Sequence, residues 1–326
     1  MRFIAALALA LTLGPASHQG LVAQESGSST EGAIFLLLPV GAKGVGLARA
    51  MTALEGAESV WWNPAGLAGV ESRLMVTRGE DISGDATSLT GLFRREGLGT
   101  FGASYLLLDV GDVQLTDGQG NPLGRVSFRY HAGLVSGATR LGTNLAVGMN
   151  LKVIQSRLSC RGECLDAGVT ATTYAVDAGA QWREIAGLPL TLGAAVVHLG
   201  PKLQVENEAQ ADPLPTRIRV AAAYDVLRHF TDVPDLHARL ALEVEDRWRS
   251  PGNPAVYMGT ELSAGIDPGV SLRAGYVYGA DLQVDGAGVG IGIRLERFDL
   301  GISKSLASTD LAAGTDPVNV TFGFIF

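Results

Sequence analysis

The amino-acid sequence predicts an all-β protein, a transmembrane antiparallel β-barrel of about fourteen strands. Three observations lead to this fold. The chain begins like an exported protein, and its composition is apolar and glycine-rich without a helical membrane span. From about residue 72 to the last residue, short segments of alternating hydrophobicity follow one another, which is the pattern of membrane strands.

The N-terminus has the layout of a secretory signal peptide. Arg2 supplies a positive start, residues 3–13 are apolar apart from one threonine, and Leu21-Val22-Ala23 forms a small-residue cleavage site. The apolar stretch is shorter than the roughly 20 residues that a membrane-spanning helix needs. We therefore expect residues 1–23 to be removed, residues 24–70 to precede the barrel and residues 71–326 to form it.

The composition separates a barrel from other exported proteins. Hydrophobic residues make up 47% of the chain, charged residues 18%, and there are 43 glycines, yet no run of some 18 apolar residues follows the signal. A barrel explains this combination because its apolar side chains face lipid. The formal net charge of -8 argues against a nucleic-acid partner.

Fourteen strands are predicted from the alternation of apolar and polar residues, which point to opposite faces of a strand. In residues 143–155, Leu145, Met149 and Leu151 share one face, whereas Asn150 and Lys152 share the other. The predicted strands lie near 72–80, 85–95, 98–108, 125–139, 143–157, 168–183, 189–199, 214–228, 235–247, 254–266, 268–279, 286–295, 297–305 and 316–326. Charged side chains predicted to point into the lumen are Arg217, Arg219, Arg239, Glu243 and Glu245.

The lengths of the connections favour a membrane barrel over a soluble secreted β-protein, which stays open as an alternative. Odd-numbered connections are predicted to be longer (109–124, 158–167, 200–213, 248–253, 280–285 and 306–315). Most even-numbered ones are shorter (96–97, 140–142, 184–188, 267 and 296), although 229–234 is not. Short periplasmic turns and long outer loops are typical of the cell outer membrane, so both termini are expected in the periplasm.

The last segment carries an aromatic stripe, formed by Phe322, Phe324 and Phe326, that ends on the final residue. A terminal strand ending in Phe resembles the C-terminal signal that the barrel-assembly machinery recognises. The expected partners therefore include that machinery and outer-membrane lipid. On a soluble sheet, the same exposed stripe would promote aggregation.

The sequence predicts no enzyme, with no catalytic residues, cofactor or metal. None of the five histidines stands in a G-x-S-x-G or H-E-x-x-H motif. Cys160 and Cys164 lack the further ligands of a metal site, and they form either a small loop disulfide or two free thiols. Several acidic residues are expected as solvated charges in outer loops rather than as a Ca²⁺ site, namely Asp81, Asp85, Asp109, Asp112 and Asp117.

Residues 35–67, FLLLPVGAKGVGLARAMTALEGAESVWWNPAGL, carry a family resemblance. They resemble the N-terminal signature of the PorV/PorQ family, outer-membrane barrels related to the FadL-type long-chain fatty acid transporters. Weaker likeness extends downstream, as at 176–182 and 272–276. The NPAG run is the most specific part of the signature. The candidate site residues are the matching positions together with the two neighbouring tryptophans: Pro39, Gly41, Gly44, Gly46, Trp61, Trp62, Asn63, Pro64, Ala65 and Gly66.

The resemblance implies a fourteen-stranded barrel in which the chain ahead of the first strand, residues 24–70, folds into the lumen as a plug. Within that segment, residues 51–59 are expected to form about two helical turns. The implied function is a PorV/PorQ-like one, non-enzymatic, with type IX secretion-like handling of protein cargo. The alternative is a FadL-like channel for hydrophobic compounds such as long-chain fatty acids, which the charged lumen inferred above mildly disfavours.

Overall fold

The protein is a closed antiparallel β-barrel. The computed structural model describes residues 31–81, 84–163, 168–204, 211–231, 233–279, 285–306 and 318–326. Within these ranges fourteen strands follow one another around the wall in chain order, and β14 pairs with β1 to close it. The predicted barrel and strand number are confirmed. The predicted signal peptide lies outside the described residues.

The strands differ in length, and four consecutive ones are the longest. Two short α-helices, α1 (Ala42–Gly46) and α2 (Ser59–Trp62), precede them. No helix within the described ranges is long and apolar enough to span a bilayer. The strands are β1 (Arg73–Asp81), β2 (Gly84–Arg95), β3 (Gly99–Thr116), β4 (Pro122–Leu141), β5 (Leu145–Gly162), β6 (Gly168–Trp182), β7 (Leu190–Leu199), β8 (Arg217–Asp225), β9 (Leu236–Arg247), β10 (Ala255–Ala264), β11 (Gly269–Tyr278), β12 (Gly286–Leu295), β13 (Phe298–Ser305) and β14 (Val318–Ile325).

The outer face of the barrel is apolar and exposed, as the alternation predicts. On β5, Met149 and Leu151 are 52% and 53% exposed, whereas their neighbours Asn150 and Lys152 are 0% and 4% exposed. The inner face is thus the more polar of the two and also the buried one. A soluble β-protein buries its apolar face instead, and this inversion is the signature of a barrel whose solvent is lipid.

Strands β3 to β6 extend beyond the rest of the wall, which corrects the predicted loops 109–124 and 158–167. Asp85 lies in β2, and Asp109 and Asp112 lie in β3. The carboxylates find partners across the strands, since Arg129 Nε lies 2.9 Å from Asp109 and Ser127 Oγ donates to Asp112 at 2.5 Å. Where both faces of a strand are polar, apolar and polar residues no longer alternate. The strands predicted from that alternation therefore ended before β3 and β5 do in the structure.

The actual turn after β3 spans residues 117–121, and Asp117 organises it. Its Oδ1 accepts hydrogen bonds from the backbone N–H groups of Gln119 and Asn121, each at 2.8 Å. The side chain of Asn121, together with these N–H groups, holds the pKa of Asp117 below its usual range. Asp81 closes β1 at the same end of the barrel.

The two ends of the barrel differ in their connections. The turn end, where β1 begins and the chain terminates, carries 96–98, 142–144, 183–189, 226–235, 265–268 and 296–297. The loop end carries the connections 82–83, 117–121, 163–167, 200–216, 248–254, 279–285 and 306–317. The predicted segregation by parity therefore holds for most connections, but the one after β1 is short.

Aromatic side chains line the lipid side of the turn end on β2, β3, β13 and β14. Phe93 and Phe101 face each other across β2 and β3, and Phe298 packs 5.5 Å from Phe324 between ring centroids. Phe322 and Phe326 are 47% and 58% exposed. Aromatic girdles of this kind mark the membrane–water interface of barrels. The role of Phe322, Phe324 and Phe326 as an assembly signal remains a prediction.

Cys160 lies near the loop end of β5 and is disulfide-bonded. Cys164 lies outside the described residues, so its pairing with Cys160 stays a prediction.

A charge placed on the lipid face should destabilise the barrel. Leu151→Arg puts a guanidinium at mid-height of β5, and we expect a loss of about 2–4 kcal/mol in the free energy of unfolding. The measurement is urea unfolding in lipid vesicles. The control, Gln119→Arg in the turn 117–121, should leave that free energy unchanged, and equal losses in both variants would contradict a lipid-facing Leu151.

Candidate functional site

Residues 31–70, here called the N-terminal segment, lie against the inner face of the barrel. Apart from α1, α2 and the 3-10 turns Ile34–Leu37 and Pro64–Leu67, the backbone of this segment is irregular. The two helical turns predicted for residues 51–59 are absent, since only α2 begins there, at Ser59. The reason is that wall side chains take the backbone hydrogen-bonding groups that a helix would use.

Glu243 on β9 is the clearest of these wall groups. One carboxylate oxygen accepts from the N–H groups of Met51 (3.0 Å) and Thr52 (2.8 Å), and the other accepts from the Thr52 hydroxyl at 2.8 Å. On the opposite side of the same turn, Gln181 Nε2 donates to the carbonyls of Thr52 and Leu54, each at 3.0 Å. These contacts hold the chain in a non-helical path.

Glu58 accepts hydrogen bonds from backbone N–H groups of α1, just as Glu243 accepts them from Met51 and Thr52. Its carboxylate accepts from the N–H groups of Lys43 (3.1 Å) and Gly44 (2.9 Å) and from the hydroxyl of Thr321 on β14 (3.0 Å). Neither Glu58 nor Glu243 was singled out from the sequence as a ligand of the segment. The signal that could have found Glu58 is an acidic residue in an otherwise apolar stretch that precedes two tryptophans.

The NPAG run forms a compact turn around Asn63, which is fully buried. Its Nδ2 donates to the Thr52 carbonyl at 2.7 Å, and its Oδ1 accepts from the Ala65 N–H at 3.1 Å. Pro64 begins the 3-10 turn that follows. A side chain at Gly66 would come within 2.6 Å of the Leu54 carbonyl, so this position tolerates only glycine.

The other signature residues meet in the same place. A side chain at Gly41 would collide with the Glu58 carboxylate, and one at Gly44 would come within 2.6 Å of the Trp62 ring. Trp62 Nε1 donates to the Val40 carbonyl, which follows Pro39, at 3.2 Å. The structure thus brings Pro39, Gly41, Gly44, Trp62 and the NPAG turn into one packed unit, whose role as a plug stays a prediction.

Glycines in the wall match the shape of the segment. Six inward-facing positions share one property, because a Cβ at any of them would come within 3.2 Å of the segment's backbone. The wall and the segment therefore touch backbone to backbone, which explains part of the high glycine content. These positions are Gly148, Gly193, Gly259, Gly275, Gly288 and Gly290, the last of which faces Gly46.

The predicted lumenal charges do face inward, but they line no open pore. Arg219 pairs with Glu245 at 2.5 Å, its guanidinium carbon lies 5.5 Å from the centre of the Trp62 ring, and Tyr257 donates to Glu245 at 3.1 Å. Arg239 pairs with Glu261 at 3.2 Å. The charges are thus compensated beneath the segment, so the charged inner face gives no argument against hydrophobic cargo.

The connection after β7 also folds inward and meets the start of the segment. Leu203 and Leu214 are buried there beside Phe35. The Gly32 N–H donates to the Pro213 carbonyl at 2.9 Å, and Arg217 binds both carboxylate oxygens of Glu31 at 2.7 and 2.6 Å. The N-terminal segment is therefore fastened at the loop end of the barrel as well.

Between the segment and β3–β5 lies a narrow cavity of about 20 Å³, lined mostly by apolar side chains. Two cations reach it, but each already has an acidic partner: Lys152 pairs with Asp177 at 2.6 Å, and Arg219 pairs with Glu245. Trp61 Nε1 is buried and has no hydrogen-bond partner among the described residues. The remaining lining is Leu36, Leu37, Leu38, Val40, Trp61, Trp62, Leu106, Ala132 and Leu134.

Among the described residues, no group of three or more His, Cys, Asp or Glu side chains is placed to hold a metal ion. The candidate site is therefore the apolar cavity and the packed segment beneath it.

Comparison with solved structures identifies the architecture. The toluene transporter TbuX of Ralstonia pickettii superposes with a TM-score of 0.55 at 13% identity, covering 86% of this chain and 98% of that one. The monoaromatic hydrocarbon channel CymD gives 0.59 at 11% identity, covering 91% and 99%. A FadL homologue of Pseudomonas aeruginosa gives 0.54 at 11%, covering 89% and 99%. The chain has the fold of these transporters. No protein-family model matches the sequence, and neither does any curated protein.

Filling one glycine of the wall should loosen the packed segment. In Gly275→Ala, the new methyl group would come within 2.5 Å of the Leu47 carbonyl, and we expect a loss of about 1–3 kcal/mol. The same change at Gly133, where nothing lies within 4 Å, is the matched control. The measurement is the temperature at which the compact, fast-migrating gel band is lost. Equal temperatures for the two variants would refute the close approach.

Removing the Glu243 carboxylate should release the turn at Thr52. Glu243→Ala leaves two buried N–H groups without an acceptor, each costing about 1–3 kcal/mol. Proteolysis of folded barrels in vesicles measures the result, because a released segment becomes accessible to protease at residues 51–54. The control, Glu80→Ala on the exposed edge of β1, should leave the segment protected. Protection in both variants would show that Glu243 does not hold the turn.

Proposed function

We propose that this chain is a FadL-type outer-membrane channel through which small hydrophobic molecules are taken up, and that the N-terminal segment is its plug. The solved barrels with the same fold include a toluene transporter and a monoaromatic hydrocarbon channel. The proposal extends their cargo class to this chain because its own lumen offers an apolar cavity.

That cavity is the observation on which the proposal rests. Ligand pockets are mostly apolar with a few polar groups that orient the ligand. Here leucines and tryptophans form the walls, and the ion pairs of Lys152 and Arg219 leave little attraction for a hydrophilic solute. Because the cavity has room for about one water molecule, cargo passes only by displacing side chains of the N-terminal segment, and apolar cargo then gains about 25 cal/mol per Å² of apolar area buried.

A role in protein secretion gains no support from these comparisons. The PorV/PorQ resemblance rests on the signature of the N-terminal segment, and the contacts above give that signature a packing role within the barrel. The cavity, at about 20 Å³, has no room for a polypeptide. Uptake of hydrophobic compounds is the function that the site supports best.

The same proposal fixes the placement of the protein in the membrane. The turn end, with its short connections and both ends of the barrel domain, faces the periplasm, and the loop end faces outward. Export through the signal peptide and insertion by the barrel-assembly machinery would produce this orientation.

Filling the cavity should block uptake. Ala132→Phe adds a ring to the lining, and we expect uptake of radiolabelled toluene by intact cells to fall at least about fivefold, since overpacking leaves no room for cargo. Ala178→Phe places the same ring on the lipid face and should have no effect. If the two variants transported equally well, the cavity would not lie on the route.

Deleting residues 33–66 tests the plug. The barrel should still insert, but it should admit large antibiotics and dyes, because the buried charges of the wall would then line a water-filled lumen. Antibiotic sensitivity of cells expressing the deletion measures this. Unchanged exclusion in cells that contain folded barrels would contradict the plug.

A further inference from the structure

Four exposed arginines cluster on the outward face of β4 and β5, near the loop end. They form two pairs directly across the strands, Arg125 opposite Arg161 and Arg129 opposite Arg157. Side chains in such positions have Cβ atoms about 5 Å apart, and like charges there destabilise a sheet. Two stacked pairs of like charge are therefore unfavourable unless an anion lies between them.

Acidic neighbours compensate only half of the cluster. Asp109 lies 2.9 Å from Arg129, and Asp112 lies 3.5 Å from Arg125. Arg157 and Arg161 form no ion pair with any residue in the described ranges. The guanidinium groups of Arg157 and Arg161, four residues apart on the outward face of β5, thus remain available to an external anion.

The cluster lies at the edge of the lipid-facing surface. Outward side chains of β5 run from Leu151 and Val153 to Gln155 and then Arg157, so the face changes from apolar to charged within two steps. The four residue steps from Val153 to Arg157 span about 13 Å. At the same level as Gln155, His131 Nδ1 and the Tyr105 hydroxyl are joined by a 2.6 Å hydrogen bond. A change of this kind from apolar to polar and charged side chains is expected where lipid headgroups meet a barrel.

An apolar groove begins directly below the arginines, on the lipid side of β4–β7. Its floor is open because Gly133 has no side chain and nothing lies within 4 Å of the position that a Cβ would take. Its outward walls are formed by Val135, Val153, Tyr174, Val176 and Leu199. The groove follows the strands away from the charged cluster, as an acyl chain would below its headgroup.

We propose that the arginine cluster and this groove bind a phosphorylated glycolipid of the outer leaflet, lipid A, with a phosphate on Arg157 and Arg161 and an acyl chain in the groove. Arginine suits this task because its planar fork donates two parallel hydrogen bonds to phosphate. The site depends on the proposed orientation, in which the loop end faces outward. It does not depend on the cargo of the channel.

The test compares lipid binding by purified full-length barrels in detergent, using native mass spectrometry with bis-phosphorylated lipid A as the probe. Arg157→Gln/Arg161→Gln should lower the affinity about tenfold or more, because each basic residue near an anionic surface adds roughly fivefold. Arg94→Gln/Arg95→Gln, which removes two exposed arginines at the turn end, is the matched control and should bind like the wild type. Removing one phosphate from the lipid should weaken the wild type but not the Arg157/Arg161 variant.

Three results would overturn the site: unchanged affinity in the Arg157/Arg161 variant, an equal loss in the control, or equal binding of phosphatidylglycerol and lipid A by the wild type. A purely structural role for the arginines predicts a variant that melts at a lower temperature. The proposal predicts a melting temperature at or above that of the lipid-free wild type, because the repulsion is relieved. Toluene uptake, measured in parallel, separates this site from the proposed function, since the variant should transport normally.

Discussion

The structure depends on one constraint: irregular backbone at the depth of a membrane must have every hydrogen-bonding group satisfied by protein. The N-terminal segment meets this constraint through side chains of the wall rather than through a regular helix. Glu243, Gln181 and Asn150 each bind backbone groups of the segment. The polar side chains of the inner face resemble the lining of an aqueous pore, but they act as hydrogen-bond partners for the backbone of the N-terminal segment.

The close fit has consequences for function. Because wall glycines let the two backbones touch, the segment packs closely against β5, β7 and β10–β13, and a narrow cavity remains on the side of β3–β5. There the leucines before Pro39 and the two tryptophans present apolar surface instead of hydrogen-bonding groups. A compact base and an apolar cavity above it suit cargo that partitions out of water and needs no hydrated path.

The strand pattern could be predicted from the sequence because lipid and the buried interior impose opposite demands on alternate residues. Leu151 and Lys152 show that division without any knowledge of the fold. The pattern failed beyond Asp109, where both faces are wet and the alternation disappears. It also failed for residues 51–59, because a helix propensity says nothing about a carboxylate that is 191 residues away, as Glu243 is from Thr52. The signature residues were found, but their common role required the contacts.

The proposed function requires a lumen that is closed to hydrophilic solutes and open to hydrophobic ones. The most direct measurement is solute flux into vesicles that contain the purified barrel, with radiolabelled toluene and a small sugar present together. We expect toluene to equilibrate faster than in protein-free vesicles while the sugar stays outside. Flux of the sugar through the intact barrel, or no acceleration of toluene, would contradict the account.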